Sequence, residues 1–110
     1  MKIKTSELSG AALDWAVRYA VSGKAPLDFV PARDNFSTCW TKGGPIIERE
    51  QLWLTGPFRE REDWKCGSGL KSDWDYAASE FTGPTPLIAA MRCYVASMLG
   101  DDVEVPEGLS

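Results

Sequence analysis

The segment Thr85-Pro86-Leu87-Ile88-Ala89-Ala90-Met91-Arg92-Cys93-Tyr94-Val95-Ala96-Ser97-Met98-Leu99-Gly100 constrains this chain more than any other. Thr85 suits an N-cap, because its hydroxyl can accept from an amide that the first helical turn leaves unpaired. Pro86 suits the first helical position, where no N–H is required. Leu87, Met91, Tyr94 and Met98 then recur at helical spacing with Ile88, Val95 and Leu99 beside them, and Gly100 closes the run. Such a stripe must be covered by other elements. A chain of 110 residues and 12.1 kDa holds one modest core, so the prediction is a single domain over 1–110.

A second helix is predicted near the start. Ser6 or Ser9 can cap it, Leu8, Ala12, Trp15 and Tyr19 share a face, Leu13, Val17 and Ala20 widen that face, and Gly23 ends it. Asp14 and Arg18 stand one turn apart and read as a surface pair on the outer side. Short strands are predicted at 2–4, where Lys2-Ile3-Lys4 alternates, and at Val103-Glu104-Val105, which Pro106 ends. From 24 to 45 the chain reads as irregular, interrupted by Pro26, Pro31 and Pro45, with a β-prone run Phe36-Ser37-Thr38-Cys39-Trp40 and a sharp turn at Gly43-Gly44-Pro45. Ile46-Ile47 and Leu52-Trp53-Leu54 are further strand candidates around the charged Glu48-Arg49-Glu50, whose two carboxylates would share one face of a solvated edge strand. Residues 56–75 are the most polar stretch, including Arg59-Glu60-Arg61-Glu62-Asp63, and read as a surface loop or weak hairpin, with a turn at Ser72-Asp73-Trp74-Asp75-Tyr76. The expected fold is α+β: two amphipathic helices packed on a small antiparallel sheet with long irregular loops. That arrangement buries limited area and leaves room for a homodimer that completes the core.

Charge and chemistry exclude several functions. Twelve Lys and Arg face sixteen Asp and Glu, giving a net charge of -4 and a pI near 4.8, so no stable DNA binding is expected. The chain has no histidine, which removes the commonest general base and the commonest metal ligand. No catalytic residue, metal site or cofactor is therefore expected, and the chain is read as a non-enzyme. Cys39, Cys66 and Cys93 are odd in number and form no Cys-x-x-Cys pair, which fits a reducing cytoplasm. Cys93, among apolar neighbours, reads as a buried small hydrophobe. No apolar run reaches the length of a membrane span, and no apolar signal core follows Met1-Lys2-Ile3-Lys4-Thr5.

Five tryptophans are many for this length. Trp15 and Trp53 lie in periodic apolar segments and read as core anchors. Trp40, Trp64 and Trp74 lie in polar, Gly- or Ser-rich settings, where an indole can stack on a flat ligand or anchor an interface. Trp40-Thr41-Lys42-Gly43-Gly44 is the favoured segment: successive glycine amides can form an anion nest, Lys42 adds charge, and Trp40 can stack on an attached ring. It lacks the pattern of a P-loop. Trp74 is a further candidate, as are Thr85 at the helix start, where Thr82 also lies, and Arg92 about two turns along.

Three blocks carry a family resemblance. The opening Lys2-Ile3-Lys4-Thr5-Ser6-Glu7-Leu8-Ser9-Gly10-Ala11-Ala12-Leu13-Asp14-Trp15-Ala16-Val17, the central Gly43-Gly44-Pro45-Ile46-Ile47-Glu48-Arg49-Glu50, and Gly83-Pro84-Thr85-Pro86-Leu87-Ile88-Ala89-Ala90-Met91-Arg92 running on to Val105-Pro106-Glu107 resemble the NinX-like proteins of lambdoid phages and prophages. They occur in the same order and together span nearly the whole chain. The resemblance implies a phage-encoded accessory protein acting in the host cytoplasm. It implies no reaction, since the family is one of unknown function.

Two readings of function follow. The first is a non-catalytic module binding a small anionic, nucleotide-like ligand, which in a phage setting would act as a counter-defence sponge for a host immune signal. The second is an inhibitor or adaptor that binds a host protein, with exposed tryptophans as anchors.

Overall fold

The structure is a computed structural model that describes residues 1–56, 63–68 and 81–109. The helix signalled at 86–99 forms as its caps dictate. It spans Pro86–Leu99, the Ile88 N–H donates to Thr85 Oγ1 at 3.1 Å, and Gly100 is the C-cap. Among the described residues this is the last of three α-helices and is called α3. The first, α1, spans Gly10–Ser22 between Ser9 and Gly23, whose positive φ of 79° is the left-handed stop that glycine adopts at low cost. Chain order runs β1 (Lys2–Lys4), a single 3-10 turn (Thr5–Glu7), α1, α2 (Trp40–Arg49), β2 (Leu52–Thr55), β3 (Trp64–Ser68), β4 (Phe81–Gly83), α3 and β5 (Asp102–Glu104).

Two antiparallel sheets result. β1 pairs with β5 in a ribbon, Ile3 opposite Val103, and β2-β3-β4 form a meander in that order. Register places Leu54 opposite Cys66 and Cys66 opposite Phe81, so these residues share a face with Leu52 and Trp64. That face lies against the core. α3 packs on the meander, and α1 and α2 pack on α3. Leu87, Ala89, Ala90, Met91, Cys93, Tyr94 and Val95 are consequently all buried, a wider arc than the single stripe that the sequence marks out. Met98, placed on the stripe, is exposed. At Gly83 a Cβ would come within 2.8 Å of the Ala89 nitrogen, so glycine lets β4 lie directly against the α3 backbone.

The largest correction concerns 36–50. In place of a β-prone run, a Gly43-Gly44-Pro45 turn and an Ile46-Ile47 strand, the chain forms α2. The described residues thus form three α-helices, and Glu48 and Glu50 are not paired on a strand face. Local propensity opposes this helix, since each glycine costs about 1 kcal/mol and an interior proline about 3 kcal/mol relative to alanine. Tertiary contacts offset that cost. Ile46 is buried in the core. Gly43 packs so closely that a Cβ would come within 2.6 Å of Leu87 Cδ2 and 2.7 Å of the Phe36 carbonyl oxygen. At the far end the Arg49 guanidinium sits 5.9 Å from the Tyr94 ring centroid and donates to Tyr94 Oη at 3.3 Å.

Two smaller corrections share a cause. Asp14 is no outer-surface partner of Arg18: it is 5% exposed and accepts the Ser37 N–H at 2.8 Å, tying the approach to α2 onto α1. Arg18 turns instead to Asp28 and Asp34. The stretch read as a surface loop or weak hairpin contains β3, which pairs antiparallel with β2 and packs Trp64 and Cys66 against the core. Most of the charged run from Arg59, and the turn at 72–76, lie outside the described residues.

Candidate functional site

The favoured segment lies in the first half of α2. Trp40 is its first helical residue and is 54% exposed, whereas Trp15 is buried in the core and meets Tyr19 edge-on at 5.6 Å. Trp15 therefore fills the anchor role expected of it. Trp53 is half-buried on β2, its ring lying over Gly67, the residue opposite it in register. Trp64 is half-buried at the core edge beside Gly56.

Trp40 stands at the exposed start of the helix. Thr41 is exposed, Lys42 and Gly44 are half-buried, and Gly43 is buried. The expected diglycine nest does not form. The Gly43 N–H donates to the Cys39 carbonyl at 2.9 Å, as the Lys42 N–H does at 3.1 Å, so these amides are spent on starting the helix. Gly43 serves close packing against Leu87, and this contact is part of how α2 packs on α3.

Thr85 caps α3 as expected, and its hydroxyl is occupied by the Ile88 N–H. Arg92 is no outward-facing contact. Its Nε donates to the Leu8 carbonyl and one terminal nitrogen to the Thr82 carbonyl, both at 2.7 Å, so it stitches α3 to the start of α1 and to β4. Burial lowers its pKa from the usual arginine value. Trp74 lies outside the described residues.

Other polar groups emerge that the sequence did not single out. Burial pushes the Asp14 carboxyl above its ordinary range, opposed by its bonds to Ser37. Asp34, also buried, is held below that range by the Arg33 guanidinium. Two Asp and two Arg around a proline-interrupted segment, Arg18, Asp28, Arg33 and Asp34, were the available signal for this network. Cys66 and Cys93 are buried thiols hydrogen-bonded to each other, and that bond together with burial drives the Cys66 thiol up and out of reach of ionisation near neutrality. Among the described residues no cluster of three or more His, Cys, Asp or Glu could hold a metal ion. Nor is any described helix long and apolar enough to cross a membrane. Two clefts, of about 390 Å³ and 170 Å³, lie at the end of α1 and beside β5, and neither is lined by the Trp40 segment.

The described residues thus form an α+β fold with an exposed indole at the start of α2. Residues 4–98 match the family model described as Bacteriophage P22, NinX, and the chain belongs to that family. It is accordingly a phage accessory protein. No curated protein matches it.

Proposed function

We propose that this protein works without catalysis in the host cytoplasm and binds a host protein through the face at the start of α2, with Trp40 as the anchor. The observation that carries this reading is the 54% exposure of Trp40 at the start of α2, in a chain whose Trp15 is buried. A large aromatic surface left in water at a braced backbone position is the usual makeup of an interface hot spot, whereas a small ligand favours an enclosed pocket. The lack of histidine supports the non-catalytic part, as does the burial of Asp14 and Cys66, which keeps both from a substrate. A second reading, capture of a small anionic nucleotide-like ligand, draws support from the exposed Trp40 indole, a stacking surface two positions before the cation Lys42.

One comparison separates them. Wild type and Trp40→Ala are used as bait in host lysate, and both are titrated with mono-, di- and cyclic nucleotides while tryptophan emission and melting temperature are followed. The expected result is a host protein retained by wild type and lost with Trp40→Ala at unchanged melting temperature, with no nucleotide response. A nucleotide that raises the melting temperature of wild type alone would replace the protein partner with the small ligand. Silence in both arms overturns the site.

A further inference from the structure

Leu27 is the most exposed large hydrophobic residue described, 100% accessible, and Val21 and Val30 near it are each 44% exposed. Single exposed leucines are ordinary. This one is unusual in its support. The segment carrying it is clamped on both sides: Arg18 reaches Asp28 at 3.2 Å and Asp34 at 3.1 Å, and Arg33 reaches Asp34 at 3.0 Å and the Asp28 carbonyl at 2.6 Å. The Val30 N–H also donates to Asp34 at 3.1 Å, and Ser22 Oγ donates to the Lys24 carbonyl at 2.9 Å. A loop is thus ordered around a side chain that itself contacts little. Preorganisation of this kind lowers the entropy lost when a partner docks. Arg18 and Arg33 pair with Asp28 and Asp34, which leaves Lys24 as the exposed cation beside Leu27 outside these ion pairs.

A complementary surface lies on the same molecule. The cleft of about 170 Å³ beside β5 has Tyr19, Leu99 and Val103 for its apolar lining and Asp102 and Glu104 for its charged rim. Both rim residues are exposed. The N-terminal ammonium takes one oxygen of Glu104 at 3.2 Å. Asp102 stands opposite Lys4 across the ribbon, yet among the described residues it makes no ion pair. Knob and cleft both adjoin the C-terminal end of α1, the first through Arg18 and Ser22 and the second through Tyr19.

We propose that two copies of this chain associate about a two-fold axis near the end of α1, each inserting Leu27 into the other's acidic-rimmed cleft, with Lys24 meeting Asp102 across the interface. The cleft has the size of one aliphatic side chain, and Asp102 on its rim is opposite in charge to Lys24 beside the knob. A reciprocal exchange satisfies both surfaces at once and closes the assembly, whereas one-way insertion would propagate.

Sedimentation velocity over a micromolar to millimolar range, at low and at high salt, tests this. A concentration-dependent dimer that weakens as salt rises is expected. Leu27→Asp should weaken it by about tenfold or more at unchanged melting temperature, since the side chain is wholly solvated in the single copy. Lys24→Asp and Asp102→Lys should each weaken it, and the two together should restore it, which a general effect on solubility would not do. A wild type that stays monomeric throughout, a dimer indifferent to Leu27→Asp, or a double variant no better than the singles would each overturn the proposal; the first would leave the Leu27 corner to a different protein.

Discussion

α2 and α3 are neighbours of similar role with opposite origins. α3 is written locally, with Thr85 to cap it, Pro86 to start it, strong helix formers within and Gly100 to stop it. α2 has no side-chain cap, carries two glycines and a proline, and is written by what it touches: Leu87, the Phe36 carbonyl, the core around Ile46 and the Tyr94 ring. One helix would be recognised in isolation, and the other exists because the rest of the domain requires a closely approaching backbone at that place. The difference teaches that glycine in a helix is informative about its neighbours.

The sharpest way to break this contrast is Gly43→Ala. Helix propensity alone favours the change, yet the new Cβ would press on Leu87 and on a backbone carbonyl that cannot swing away, so a loss of about 1–3 kcal/mol is expected. Urea denaturation would measure it. A gain in stability would mean that α2 is not held by close approach. Thr85→Ala tests the other side, with a loss of about 1 kcal/mol from an uncapped α3; an unchanged denaturation midpoint would remove the cap from the account. Gly44→Ala should cost less than its neighbour. Beyond the adjacent residues and the helix's own backbone, its Cβ would meet the Trp40 ring at 3.9 Å, an ordinary contact. The remaining strain comes from Pro45 next to it, so a loss below about 1 kcal/mol is expected.

The smallest effect concerns the tether between α1 and the approach to α2. Because burial raises the Asp14 carboxyl, the charged form weakens the fold, and stability attributable to Asp14 rises as pH falls through its folded pKa toward the ordinary carboxylate value of about 4. Asp34, lowered by Arg33, has the opposite sign: its contribution is present above the ordinary value and lost as pH falls through its folded pKa. Asp14→Asn keeps an acceptor for the Ser37 N–H and removes only the first dependence. Its stability relative to wild type should be greatest above the folded pKa of Asp14 and shrink on acidification. A difference that ignores pH would show that Asp14 pays no desolvation cost.

What could be read from the sequence follows the same division. α1, α3 and β1 were legible because caps, stops and periodicity act within a few residues. α2 was not, because Gly43-Gly44-Pro45 obeys turn statistics locally and departs from them only through Leu87, more than forty positions away. β3 was hidden in a polar stretch where, among the described residues, Trp64 and Cys66 pack against the core. For the candidate site, the polar setting of Trp40 was legible, but its place at the start of a helix depended on α2. Arg92 was misjudged because its two acceptors, the carbonyls of Leu8 and Thr82, carry no sequence signature.

The β1–β5 ribbon carries one consequence for the order of assembly. Ile3 and Val103 pair across about 100 intervening residues, and closing so long a chain segment is entropically the hardest step, best taken after α1 and α3 have packed and brought the strands together. The hollow formed by Tyr19, Leu99 and Val103 is then a late product of folding. Any contact that uses it discriminates between finished and unfinished chains, so a partly folded copy has nowhere to receive its twin.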